Sequence, residues 1–254
     1  MLLSRVSRPA LVLVVVLVAT ASTGCHKGKK HSSGSGSGAD PVIFQDDFST
    51  DTGWTSSDPD VIYRDAGLNQ VRWTAFRTHP QICSHPIPRF SGDFTMEFRF
   101  NIEHAANNCH LLIGLSGSVT PTSTAIAGGL GGGLYAFLCW HGGGVPNHYY
   151  FASIWTEDTA NVQFTPWEHD DYGSGPTAGA VVVDTGIWYR LILTRTGATV
   201  TIDVELDNGT PVGSITTVVS GDFPAFNYVW IGKLDDKDWP WMNGWLDDLK
   251  ITLP

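Results

Sequence analysis

Two aspartates stand where a β-strand would otherwise be apolar. In NGWLDDLKITLP, residues 243–254, alternation puts Trp245, Leu249, Ile251 and Leu253 on one face and Asp248, Lys250 and Thr252 on the other. Asp247 falls on the apolar face. In VIFQDDF, residues 42–48, Asp46 falls in the same way among Val42, Phe44 and Phe48. A buried carboxylate without partners is costly, so each must be hydrogen-bonded, paired, protonated, metal-bound or rotated outward by a bulge.

A second set of candidates pairs cysteine with histidine. Cys83-Ser84-His85 and Cys139-Trp140-His141 each place both side chains on one strand face, and Cys109-His110 adds a third pair. Such soft and borderline ligands suit Zn²⁺ or copper. A disulfide is the competing use. CHLLIGLS and LYAFLCW read as adjacent antiparallel strands, which brings Cys109 and Cys139 to one end. The expected bridge is therefore Cys109–Cys139, with Cys83 pairing to either, or free thiols, as the alternatives.

Aromatic residues gather in segments rich in turn formers. His148, Tyr150 and Trp155 follow HGGGVPN, Trp167 lies in FTPWEHDDYGSG, and Trp239 and Trp241 flank Pro240. An indole packs on the C–H face of a pyranose while neighbouring polar groups take its hydroxyls. These six residues are the candidate ligand set; the competing use is a lid folded over the end of the domain. Trp54, Trp73, Trp188 and Trp230, in or beside strands, read as packing residues.

Catalytic signatures are missing. Glu97 and Glu103 share a strand face but lie six residues apart, about 20 Å, whereas a glycosidase pair needs about 5 to 9.5 Å. Glu157, Asp158, Glu168, Asp170 and Asp171 fall in loops and read as solvated. No Gly-x-Ser-x-Gly, His-Glu-x-x-His or Walker pattern occurs, and GGLGGGLY lacks the Lys-Ser/Thr of a phosphate loop. No catalytic residue is named on this reading.

The elements that must position these residues are β-strands. DFTMEFRFNIE alternates Phe94, Met96, Phe98, Phe100 and Ile102 against Thr95, Glu97, Arg99, Asn101 and Glu103. ATVTIDVELDNG does the same, and Asn208-Gly209 predicts a type I′ hairpin turn. Further strands are expected at VIFQDDF, NQVRWTAF, CHLLIGLS, LYAFLCW, HYYFASIW, WYRLILTRT, PVGSITTV and YVWIGK. No stretch keeps a helical period over three turns. With 28 Gly and 10 Trp, this is the pattern of an all-β sandwich or jelly roll.

The N-terminus sets the expected location. Arg5 and Arg8 precede an apolar run, small residues follow, and Cys25 ends the segment, so residues 1–25 read as a secretory signal. The STGC ending resembles the bacterial lipobox, with Ser22 where that pattern usually has Leu. The resemblance implies lipidation at Cys25 and a membrane lipoprotein of the bacterial envelope or surface. Residues 26–40, basic and then Ser/Gly-alternating, read as a flexible linker. Residues 41–254 read as one domain. From Asp40 onward lie all 25 acidic residues and 10 of the 15 basic ones, a net charge of −15. That charge argues against nucleic acid and strongly anionic polymers as partners and suits neutral ligands or cations.

GDFTMEFRFNI, IWYRLILTRTGATVTIDVEL, YVWIGK and GWLDDLKI occur in the order seen in concanavalin A-like lectin/glucanase domains. The chain resembles most the laminin-G-like jelly rolls of bacterial surface proteins, over about residues 42–253. The resemblance implies two stacked antiparallel sheets, one concave, with the first and last strands adjacent. It further implies that Asp46 and Asp247 converge, with backbone carbonyls and water, on a structural Ca²⁺. The competing use of both aspartates is to cap turns or accept backbone N–H groups. Glutamate-rich catalytic strands of the glucanases have no counterpart here. The expected function is a non-catalytic carbohydrate-binding or adhesion module, with a glycoside hydrolase or lyase and a protein-binding scaffold as alternatives.

Overall fold

The computed structural model describes residues 40–74, 81–105, 110–117, 133–139, 148–157, 162–165, 181–218, 225–233 and 242–254, with side chains described in most of them. These residues form β-strands and no helix. The strands are β1 (Val42–Asp46), β2 (Thr55–Ser56), β3 (Ile62–Asp65), β4 (Gln70–Trp73), β5 (Gln81–Phe90), β6 (Phe94–Ala105), β7 (His110–Ser116) and β8 (Gly133–Cys139). The second half of the chain adds β9 (His148–Glu157), β10 (Val162–Thr165), β11 (Val181–Asp184), β12 (Trp188–Thr196), β13 (Thr199–Leu206), β14 (Pro211–Val218), β15 (Phe226–Lys233) and β16 (Met242–Thr252). All of them belong to one unit, Ala39–Pro254.

Two antiparallel sheets result. One runs β14-β13-β12-β6-β16-β4-β3, with β1 also paired to β16; the other runs β10-β9-β8-β7-β15-β5-β2, with β11 paired to β9. We call them the terminal sheet and the facing sheet. As expected, the first and last strands adjoin: Phe44 pairs with Ile251 and Asp46 with Leu249. The expected neighbours β7 and β8 also pair, with His110 opposite Cys139.

The alternation read in DFTMEFRFNIE is the reason the sheets stack. Phe94, Met96, Phe98, Phe100 and Ile102 are buried together with Tyr189, Leu191 and Leu193 of β12 and Ile202 and Val204 of β13. Leu111, Ile113, Leu115, Val229 and Ile231 of the facing sheet join the same cluster. Phe90, Phe94 and Phe226 bind the layers at one end, with ring centroids 5.5–5.6 Å apart. Each apolar face leaves water only against the other, and that burial is the main stabilising term.

Two local expectations change. The hairpin after β13 is not type I′: only Gly209 has a positive φ, +82°. Leu206 O accepts the Gly209 N–H at 2.8 Å and the Leu206 N–H reaches Thr210 O at 2.8 Å, so a tight turn is followed by a left-handed glycine, with a bulge at Val204/Glu205. Asn208 instead accepts the Thr210 N–H through its side chain. The strand β5 was not legible because Pro86 and Pro88 interrupt it. It is tolerated since β2 pairs only with Cys83 and Ser84, leaving that side of β5 without a described partner strand beyond Ser84.

The larger change is in β16. Asp247 pairs with Arg99 and Lys250 with Glu97, so Asp248 and Leu249 stand opposite the single residue Phe98. Asp248 takes a φ of +51° at this bulge. The phase of the strand therefore reverses: Met242, Gly244 and Leu246 point inward before the bulge, Leu249 and Ile251 after it. Trp245 and Asp247 consequently share the outer face, and Trp245 does not share the face of Leu249 and Ile251 as simple alternation predicts.

Gly244 marks the tightest contact of this strand. A Cβ there would lie 2.3 Å from the Asn101 carbonyl oxygen and 2.5 Å from Trp73 Cζ2. Trp73 is wholly buried, so neither neighbour can yield without moving the sheet. Gly244→Ala is expected to destabilise the domain by about 3 kcal/mol or more, read from the urea midpoint; an unchanged midpoint would show that β16 can shift to make room.

Candidate functional site

The two aspartates have separate lives. Asp46 is buried, 4% exposed. Its Oδ1 accepts the Phe48 N–H at 2.7 Å; its Oδ2 accepts the Trp54 Nε1–H at 2.8 Å and the Thr52 hydroxyl. The carboxylate thus folds the chain after β1 back on itself. Phe48 follows with a φ of +55°, and Arg64 clasps its carbonyl through Nε and Nη2 at 2.9 and 2.6 Å. Every bond to Asp46 comes from a donor, which makes a negative charge tolerable in the interior.

Asp247 lies on the outer face of the terminal sheet. Its Oδ1 accepts the Asp248 N–H at 2.9 Å, and its Oδ2 meets Gln70 Nε2 at 3.3 Å and Arg99 Nη1 at 3.5 Å. Burial, and then the Asp248 charge, push the Asp247 carboxyl above its ordinary value; the Asp248 N–H, Gln70 and Arg99 pull it back only in part. Asp46 pairs with the inward-facing Leu249 while Asp247 stands on the outer face, where Gln70 and Arg99 meet it, so the two carboxylates do not converge. The pair does not fit a Ca²⁺ cage, and among the described residues no group of three or more His, Cys, Asp or Glu is placed to hold a metal ion.

Of the Cys–His pairs, only Cys83 and His85 have described side chains, and they serve the fold. Cys83 is a free, buried thiol inside the sandwich, and burial pushes its pKa up to about 12. It behaves as a small apolar side chain. His85 packs against Phe44 and Trp54, and its Nε2 lies 2.8 Å from the Thr52 carbonyl. Cys109 and His141 lie outside the described residues. Cys139 ends β8 opposite His110, beside the position of Cys109 in sequence. Peptide mapping of the unreduced chain is expected to recover Cys109 and Cys139 in one linked fragment and Cys83 as a thiol alkylated only after unfolding.

Of the six candidate ligand residues, Trp167, Trp239 and Trp241 lie outside the described residues. The other three lie on β9. Register sets Tyr150 opposite Val182, His148 opposite Asp184 and Trp155 opposite Tyr135. Val182 is an exposed position between the buried Val181 and Val183, so β11 is open on its outer side at the level of Tyr150. Farther along the same sheet the outer face is closed: Ile82, Ser84, Leu112, Ser116 and Trp230 are buried without belonging to the cluster between the sheets.

The terminal sheet presents a different outer face, one of charges in register. Glu97 binds Arg190 and lies 3.2 Å from Lys250. Arg99 holds Asp207 with two bonds of 2.7 and 3.1 Å and reaches Asp248 at 3.1 Å. Beside these ladders runs one largely neutral row. Trp188 pairs with Asn101, Asn101 with Trp245, Trp245 with Arg72, and Arg72 with Tyr63, across five adjacent strands. Sequence reading missed it because Trp188 read as packing and the bulge hides the true face of Trp245. The cue in the sequence was Asp248 following Asp247, a doubled polar residue where alternation breaks.

Burial works against the charge of Glu97, but hydrogen bonds and charges from Arg190 and Lys250 outweigh it and hold the carboxyl below the ordinary glutamate value. A folded value below the unfolded one contributes stability above the unfolded pKa, and that contribution is lost as pH falls through the folded value. Glu97→Gln is therefore expected to lower Tm at about pH 7, with the gap to wild type closing toward about pH 3. A gap constant with pH would assign the effect to packing.

No protein-family model matches the sequence, and no curated protein sequence matches it. Solved structures do resemble the fold. The VIP36 exoplasmic/lumenal domain in its Ca²⁺/Man2-bound form aligns over 83% of this chain and 86% of its own, at 12% identity and a TM-score of 0.51. The metal-free form of that domain aligns over 79% and 84%, at 14% identity and a TM-score of 0.51. A legume lectin-like domain from Entamoeba histolytica aligns over 79% and 90%, at 13% identity and a TM-score of 0.49. The chain is thus an all-β, two-sheet antiparallel jelly-roll sandwich, the fold it shares with the VIP36 domain.

Proposed function

We propose that this protein is a non-catalytic carbohydrate-binding module displayed on a bacterial envelope. On this reading residues 1–25 direct export, Cys25 carries a lipid anchor, and residues 26–40 hold the domain a short distance from the membrane. The ligand is a glycan, taken by Trp155, Trp167, Trp239, Trp241, His148 and Tyr150. The observation that carries the reading is the shared sandwich: a domain aligned over most of this chain has been solved with Man2 bound. The exposed outer side of β11 beside Tyr150 supports it.

Affinity electrophoresis in gels containing mannan, β-glucan or xylan tests the proposal. The chain is expected to be retarded in at least one gel, and Trp239→Ala or Trp241→Ala is expected to weaken retention about tenfold. Failure in every gel would remove the carbohydrate-binding reading, and loop variants that migrate as wild type would remove this assignment of ligand residues. Release of reducing ends or unsaturated products would instead identify a polysaccharide-acting enzyme. Asp46 and Asp247 give Ca²⁺ no place between them, so retention is expected to persist in chelator; its loss would point to a Ca²⁺ site elsewhere in the chain.

A further inference from the structure

The row Trp188–Asn101–Trp245–Arg72–Tyr63 crosses the terminal sheet perpendicular to its strands. Neighbouring strands lie about 4.8 Å apart, so Trp188 and Trp245 stand about 10 Å apart, as do Trp245 and Tyr63. Three aromatic side chains are thus set at even intervals along about 19 Å. Their positions come from backbone register, which makes the spacing a rigid property of the sheet.

The neighbours hold the rings in place. The Arg99 guanidinium carbon lies 4.9 Å from the Trp188 ring centroid and that of Arg72 lies 5.3 Å from Trp245. Both arginines are themselves tied to acids, Arg99 to Asp207 at 2.7 Å and Arg72 to Glu103 at 3.8 Å. The row therefore has little free charge to offer an ionic partner, while its flanks are dense in groups able to bond hydroxyls.

At its centre the row is unfinished. Asn101 lies on the outer face yet is only 5% exposed, between Trp188 on one side and Trp245 on the other. Its Oδ1 has no hydrogen-bond partner, and neither has Trp245 Nε1 nor Arg72 Nε. A face built only to close a sheet would be expected to pair such atoms, because each unpaired buried group is destabilising. An acceptor and two donors in successive positions of one aromatic row match what a sugar ring presents: apolar C–H surface with hydroxyls at its rim. Reaching Asn101 calls for rotation of a neighbouring indole, a change of rotamer common at binding surfaces.

We infer that the outer face of the terminal sheet is a second glycan platform, on which a neutral polysaccharide lies along the row across the strands, with Trp188, Trp245 and Tyr63 as its aromatic contacts and Asn101 as a hydroxyl partner. The inference rests on the proposed carbohydrate-binding function but uses a different sheet from the loop tryptophans. A charged partner is disfavoured by the compensated arginines, and a second copy of the chain by the ionic ladders on either side, since interface cores are depleted of charge.

The test uses the full chain in the same neutral mannan, β-glucan and xylan gels, with a polyuronate gel added. Trp188→Ala, Trp245→Ala and Tyr63→Ala are each expected to weaken retention about tenfold, and Trp245→Phe to keep most of it. Tyr63→Ala, on the outermost strand, carries the test if the tryptophan variants fail to fold. Retention abolished by Trp239→Ala and Trp241→Ala but untouched by the row variants overturns the platform while leaving the proposed function standing. No retention of wild type in any gel removes both. Retention on polyuronate alone overturns the neutral class. A dimer that Trp245→Ala dissociates, with retention unchanged, would make the face a self-interface and overturn the inference.

Discussion

One extra residue in β16 organises the terminal sheet. With Asp248 and Leu249 opposite Phe98, the strand turns over in mid-course. Leu246 and Leu249 can then both enter the core although an odd number of steps separates them. Without the bulge one half of β16 would turn its apolar residues to water. The strand is also the one to which β1, β4 and β6 all pair, so its phase decides how the two ends of the domain close.

The same bulge shapes the surface chemistry. It delivers Asp247 and Asp248 to Arg99, which already binds Asp207 from the turn after β13. A guanidinium served by three carboxylates lies over Trp188 and ties β6, β16 and the β13–β14 turn together. These groups are partly exposed, so their value lies more in fixing side-chain geometry than in stability. Trp245, turned outward by the phase change, completes the aromatic row. An irregularity in one strand thus produces both a closed core and an ordered outer face.

The two outer faces differ in kind. The facing sheet is covered over Trp230, Leu112 and Ile82 and open at Val182. The terminal sheet is a field of compensated charges around a neutral stripe. Jelly rolls host many functions, so the fold alone says little about ligand; side chains standing on these faces carry the functional argument. Asp46 belongs to neither face. Its three donors make it a fold element, and its charge serves the chain reversal after β1.

Strand patterns, clearest in the alternation of DFTMEFRFNIE and ATVTIDVEL, were enough to determine that the fold is all-β and to place most of its strands, because period-2 hydrophobicity has no other economical use than a half-buried strand. The adjacency of β7 with β8 and of β1 with β16 was legible too, the first from consecutive apolar strands and the second from resemblance. What the sequence could not determine was phase and register. Asp247 read as inward because a bulge leaves no mark on alternation until a partner strand counts one residue fewer. Gly209 read as half of a type I′ turn because turn type depends on how many residues the flanking pair leaves over. The row from Trp188 to Tyr63 draws on residues 63, 72, 101, 188 and 245, distant in sequence, and exists only through the pairing of five strands. Tertiary structure decided it, since only hydrogen-bonded register sets which side chains stand side by side.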